Sequence, residues 1–125
     1  MILFVYGTLM STGKFPINDR FQKDATKIGE YSTKGQLYCV QSAVFPFPAL
    51  VQKQGTVKGE LWDINPEILD DLFRYEGSLY DFKLIDKIRY KGRSRGVFAF
   101  VWNQSTDGLE EIKSGDWNEF INKTD

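Results

Sequence analysis

Apolar patterning of strand type dominates this chain. "ILFVY" (2–6) is a continuous apolar run, as a central strand requires, and "TVKGELWDI" (56–64) alternates with the two-residue period of a half-buried strand. "GQLYCV" (35–40), "FKLIDKIRY" (82–90) and "RGVFAFVW" (95–102) read the same way, the last two joined by a turn at Lys91-Gly92-Arg93. Ten Phe, six Tyr and three Trp, 15% of the residues, strengthen the expectation of a sheet-rich fold, because aromatics favour pleated surfaces and pocket walls. Between these runs, "AVFPFPALV" (43–51) carries two prolines, each removing a ladder donor, and is expected to be an irregular extended loop.

One helix is well marked. In "NPEILDDLFRY" (65–75), Asn65 can cap, Pro66 suits the first turn, and Ile68, Leu69, Leu72 and Phe73 form an apolar stripe before Gly77. A short second helix is expected at "DWNEFINK" (116–123), where Asp116 and Glu119 make a variant capping box. The polar stretch from Gly7 to about residue 27 offers at most a helical turn around Ile17–Gln22. With 125 residues and no linker or repeat, the expectation is one α+β domain over 1–125.

Composition narrows the chemistry. The chain has no histidine and one cysteine, Cys39, so a Ser-His-Asp or Cys-His nucleophile and a His-based or multi-thiolate zinc site are excluded. A net charge of −1 without blocks of like charge argues against a nucleic-acid or membrane surface. The short apolar N-terminal run lacks a basic leader and is too short to span a bilayer; with a lone thiol, this makes the cytoplasm the expected address. Cys39 itself reads as a small buried hydrophobe.

"FVYGTLMSTGKF" (4–15) has the outline of a phosphate loop. Five residues rather than four separate Gly7 from Gly13-Lys14, and Phe15 stands where Ser or Thr must bind Mg²⁺. What remains is Tyr6-Gly7-Thr8-Leu9, a strand end whose unpaired backbone N–H groups can turn toward an anion or a carbonyl oxygen. Among the acids, Glu76 is singled out. It falls at the C-terminal end of the marked helix, where the dipole disfavours an anion. Phe73, Tyr75, Leu79 and Tyr80 nearby can strip it of water. Both effects raise its pKa toward the range of a general base.

"FVYGTL", "GELWDI", a helix leading into "YEGSLY", and a late "SGDW" occur in this order, and the set resembles the γ-glutamylcyclotransferase-like family, in particular its small bacterial members. The resemblance implies a small mixed β-barrel with flanking short helices. It implies an enzyme that releases 5-oxoproline from a γ-glutamyl amine or amide. Glu76 is then the catalytic base and acid; Tyr6, Gly7, Thr8 and Leu9 bind the small γ-glutamyl substrate; no metal or other cofactor takes part. Two places depart from the family's pattern: Leu72-Phe73 where many relatives have Leu-Asp, and Phe82-Lys83 where an arginine is frequent. They motivate the alternative of a non-catalytic metabolite-binding module on the same fold. The leaving amine and the oligomeric state are left open by the sequence.

Overall fold

A run with no polar face must be covered on every side, and Ile2–Val5 is. This strand, β1, is 0–4% exposed along its length and lies inside a six-stranded sheet. The computed structural model describes residues 1–7, 23–43 and 45–122. Its further strands are β2 (Ala25–Val40), β3 (Phe47–Ile64), β4 (Tyr80–Tyr90), β5 (Arg93–Trp102) and β6 (Glu110–Ile112), in the sheet order β4-β5-β1-β3-β2-β6. β1 runs parallel to β5 (Ile2 opposite Val97) and antiparallel to β3 (Ile2 opposite Asp63, Val5 opposite Glu60); the other pairs are antiparallel. The sheet is therefore mixed, as expected, and it curls into a half-barrel. Side chains bridge strands that are not neighbours in the ladder: the Tyr31 hydroxyl of β2 donates to Asp86 of β4, and the Tyr80 hydroxyl of β4 donates to the Pro48 carbonyl of β3 at 2.6 Å.

The marked helix forms in two parts, a 3₁₀ turn at Pro66–Ile68 and then α1 (Leu69–Glu76). The Asn65 side chain accepts from the Glu67 N–H at 3.1 Å, Pro66 takes the first position, and the Gly77 N–H closes the end on the Phe73 carbonyl at 2.9 Å. Ile68, Leu69 and Leu72 pack on the core, whereas Phe73 stays 43% exposed. The last helix, α2 (Trp117–Asn122), starts beneath Asp116, whose carboxylate accepts from the Glu119 N–H at 3.2 Å. The preceding "SGDW" segment docks on β3. The Lys58 N–H donates to the Gly115 carbonyl, and a Cβ at Gly115 would lie 1.9 Å from the Thr56 carbonyl oxygen, so only glycine fits. Trp62, Trp102, Trp117 and Cys39 are all buried.

Three local expectations change. The segment 43–51 is not wholly irregular: Phe47–Val51 opens β3, with Pro48 opposite Cys39. Because the Pro48 carbonyl receives the Tyr80 hydroxyl, its nitrogen also points away from β2, and the missing N–H costs the ladder nothing. β2 begins ten residues earlier than the strand read at 35–40, bending at irregularities beside Gly29 and Gly35. The β4–β5 hairpin turns in two residues, Lys91-Gly92, with Arg93 already paired to Tyr90. Among the described residues, no helix is long and apolar enough to cross a membrane. The turn expected at Ile17–Gln22 lies outside the described residues.

Candidate active site

The parallel pairing of β1 with β5 puts their C-terminal ends at one end of the sheet, and antiparallel pairing brings the start of β4 to the same place. Tyr80 stands opposite Trp102, and Phe82 opposite Phe100. α1 ends four residues before Tyr80, so Glu76 arrives there too. The result is a cavity of about 310 Å³, lined by Phe4, Val5, Tyr6 and Gly7 from β1 and the turn after it, by Phe47 and Pro48 of β3 with Ser42 and Phe45 before it, and by Tyr75, Glu76, Leu79, Tyr80 and Phe100.

Two phenols are fixed by backbone acceptors. Tyr6, buried, donates to the Phe100 carbonyl at 2.5 Å, and Tyr80 to Pro48. Burial raises the Tyr6 hydroxyl well above the usual tyrosine range, with Tyr80 and Glu76 adding to the rise and the Leu50 backbone pulling it back. Burial and the Glu76 carboxylate likewise raise Tyr80. Both remain neutral donors at physiological pH. Gly7 lies against the opposite wall, since a Cβ there would come 2.4 Å from Pro48 Cγ.

Glu76 is partly buried, and removal from water pushes its carboxyl up to about 7. It is the one carboxylate among the described lining residues, which include no lysine or arginine. Such a group exchanges a proton near neutral pH, as an acid–base catalyst must. Among the described residues, no three Cys, Asp or Glu side chains converge as metal ligands would.

Of the residues expected at the site, Tyr6, Gly7 and Glu76 line one cavity; Thr8 and Leu9 lie outside the described residues. Tyr75, Leu79 and Tyr80, expected to shield Glu76, line it as well, whereas Phe73 does not. The sequence reading missed Phe45, Phe47 and Pro48. Their only signal was the run of apolar residues around two prolines, which says nothing of what it packs against.

The family model described as "Gamma-glutamyl cyclotransferase, AIG2-like" matches residues 3–119. The γ-glutamylcyclotransferase family protein YtfP of Escherichia coli (strain K12) is 31% identical over 120 residues, 94% of this chain and 96% of that protein. The solution structure of YtfP from Escherichia coli superposes with a TM-score of 0.70 at 28% identity, covering 97% of this chain and 99% of the other. An uncharacterised protein of Pyrococcus horikoshii has the same fold, with a TM-score of 0.73 at 23% identity over 99% of this chain and 95% of the other.

Proposed function

Since this chain belongs to the γ-glutamyl cyclotransferase (AIG2-like) family, we propose that it cyclises a γ-glutamyl amine or amide to 5-oxoproline and a free amine. The substrate's α-amine attacks its own γ-carbonyl carbon. That C–N bond forms, the bond to the leaving nitrogen breaks, and no atom is gained or lost. Because the nucleophile is tethered, the protein's first task is to hold the chain folded in the reactive shape. Glu76 takes the proton that the attacking amine sheds and returns it to the departing nitrogen. Backbone N–H groups from Gly7 to Leu9 hold the substrate's α-carboxylate or the developing oxyanion, and Tyr6 supports that turn.

The observation that carries this reading is the position of Glu76 on the wall of the cavity that Tyr6 and Gly7 also line, with a carboxyl titrating near 7. The departures at Phe73 and Phe82 bear less on it than the sequence suggested, because neither lines the cavity. A panel of γ-glutamyl amides and γ-glutamyl amino acids, followed by 5-oxoproline release, tests the proposal. Release that Glu76→Gln lowers by orders of magnitude supports it. Binding without release by the wild-type protein would leave only a metabolite-binding module.

A further inference from the structure

The turn between β4 and β5 breaks a local rule. Two-residue hairpin turns with positive φ at both central residues favour Asn-Gly, because few other side chains tolerate that backbone. Here φ is 51° at Lys91 and 78° at Gly92, and Lys91 is the one non-glycine with positive φ among the described residues. A lysine kept against that preference places a cation at the tip of the hairpin. Lys87, Arg89, Arg93 and Arg95 flank it, in a stretch from 87 to 95 that contains no acid. The absence of blocks of like charge, read from the sequence, therefore does not hold here. The net charge of −1 conceals this one, because the remaining residues are acidic on balance.

Topology gathers these charges on a projection. β1 pairs with β5 only at Val97 and Phe98, and β4 is the edge of the sheet, so residues 87–96 continue past β1 as two strands alone. Lys87 lies opposite Gly96 and Arg89 opposite Ser94 on one face; Arg95 lies opposite Ile88 and Arg93 opposite Tyr90 on the other. Lys87, Arg89, Lys91 and Arg93 are exposed, and Arg95 is half-buried. Among the described residues, none of these five side chains forms an ion pair. Lys91 leans over the Tyr90 ring, 5.3 Å from its centroid.

We propose that this ribbon binds the phosphate backbones of a nucleic-acid double helix. It does so apart from the chemistry at Glu76, since the cavity lies at the opposite end of β4 and β5, where Tyr80 and Phe100 line it. Cations on both faces and at the tip match a site with phosphates on two walls. The major groove of duplex DNA, about 12 Å wide, admits a two-stranded ribbon and is walled in that way. A bilayer presents its phosphates in one plane and would meet one face only. Arg89, Arg93 and Arg95 also carry the planar fork that suits phosphate oxygens better than an ammonium does.

Fluorescence anisotropy with a labelled DNA duplex of about 20 base pairs tests the proposal. The wild type should bind at about 50 mM salt and lose affinity steeply by about 200 mM. Arg89→Gln combined with Arg93→Gln should weaken binding at least about tenfold and reduce the slope of log K against log salt by about 2. Lys91→Asn should weaken binding while the melting temperature stays or rises, because asparagine suits the turn. A lysine with a structural role alone would leave binding untouched. No binding at low salt, or unchanged affinity in both ribbon variants, would overturn the proposal. So would tighter binding to phosphatidylserine vesicles or to poly-glutamate than to the duplex. Equal binding to one strand of the same sequence would overturn the two-walled site.

Discussion

Phe73 and Phe82 meet edge to face, their ring centroids 5.4 Å apart and their planes at 82°. These are the two positions that the resemblance set apart as departures, and they meet in one contact. Phe100 extends the cluster, 5.7 Å from Phe73 and 5.2 Å from Phe82, and Phe98 stacks on Phe82 at 5.2 Å. The contact fastens α1 to β4 and β5, just before the turn that carries Glu76. A double-mutant cycle with Phe73→Ala and Phe82→Ala, read by urea unfolding, should give a coupling of about 0.5–1.5 kcal/mol.

Glu76→Gln should lower 5-oxoproline release by about 10²–10⁴-fold. In the wild type, kcat/KM should rise with pH through about 7 as the carboxyl loses its proton, and the residual activity of the variant should lack that limb. Rates measured from pH 5 to 9 decide it.

The same carboxyl should leave a mark on stability. Its folded-state pKa, about 7, lies above the unfolded value near 4.5, so between these the folded protein binds more protons. Stability therefore falls as pH rises from about 4.5 to 7, by on the order of 3 kcal/mol from this group. Glu76→Gln has no proton to lose. Its stability relative to the wild type should climb over that window and level off above it, as chemical denaturation at a series of pH values can measure.

Gly7→Ala should be costly at a position that looks open in the sequence. The added methyl would meet Pro48 Cγ at 2.4 Å, forcing the turn after β1 away from the wall formed by β3. A loss of about 1–3 kcal/mol in stability and a raised KM are expected, read by unfolding and by substrate titration.

Tyr80→Phe removes the hydroxyl that the Pro48 carbonyl accepts and leaves that carbonyl without this partner. The expected cost is about 1–3 kcal/mol. Since Tyr80 also lies close to Glu76, the rising limb of the pH–rate profile should move in this variant. An unchanged melting transition would show that water replaces the phenol at no loss.

Legibility in the sequence followed how local each cause was. Asn65, Pro66 and Gly77 act within their own turns, so the helix and the place of Glu76 at its end were readable in advance. β2 was half hidden because its first ten residues have sparse apolar alternation and take their conformation from pairing with β3. Pro48 was misread for a related reason. A proline's cost in a strand depends on which side its nitrogen faces, and that follows from the register in which Pro48 pairs with Cys39, which the local sequence does not show. The Tyr6 side of the cavity could be guessed from a motif and Leu79 from its place beside Glu76, whereas Phe45 and Phe47 meet there only because the sheet curls.

The pairing of β1 also governs the order in which this molecule can assemble. Its apolar edge waits on one side for residues as far along as Asp63 and on the other for Val97 and Phe98. Contacts of such long reach form late. A chain halted before β5 would present "ILFV" with one edge unpaired, a sticky segment rather than half of a working protein. The turn that begins at Tyr6 thus takes shape only once nearly the whole polypeptide is available, and fragments should neither bind ligand nor stay in solution.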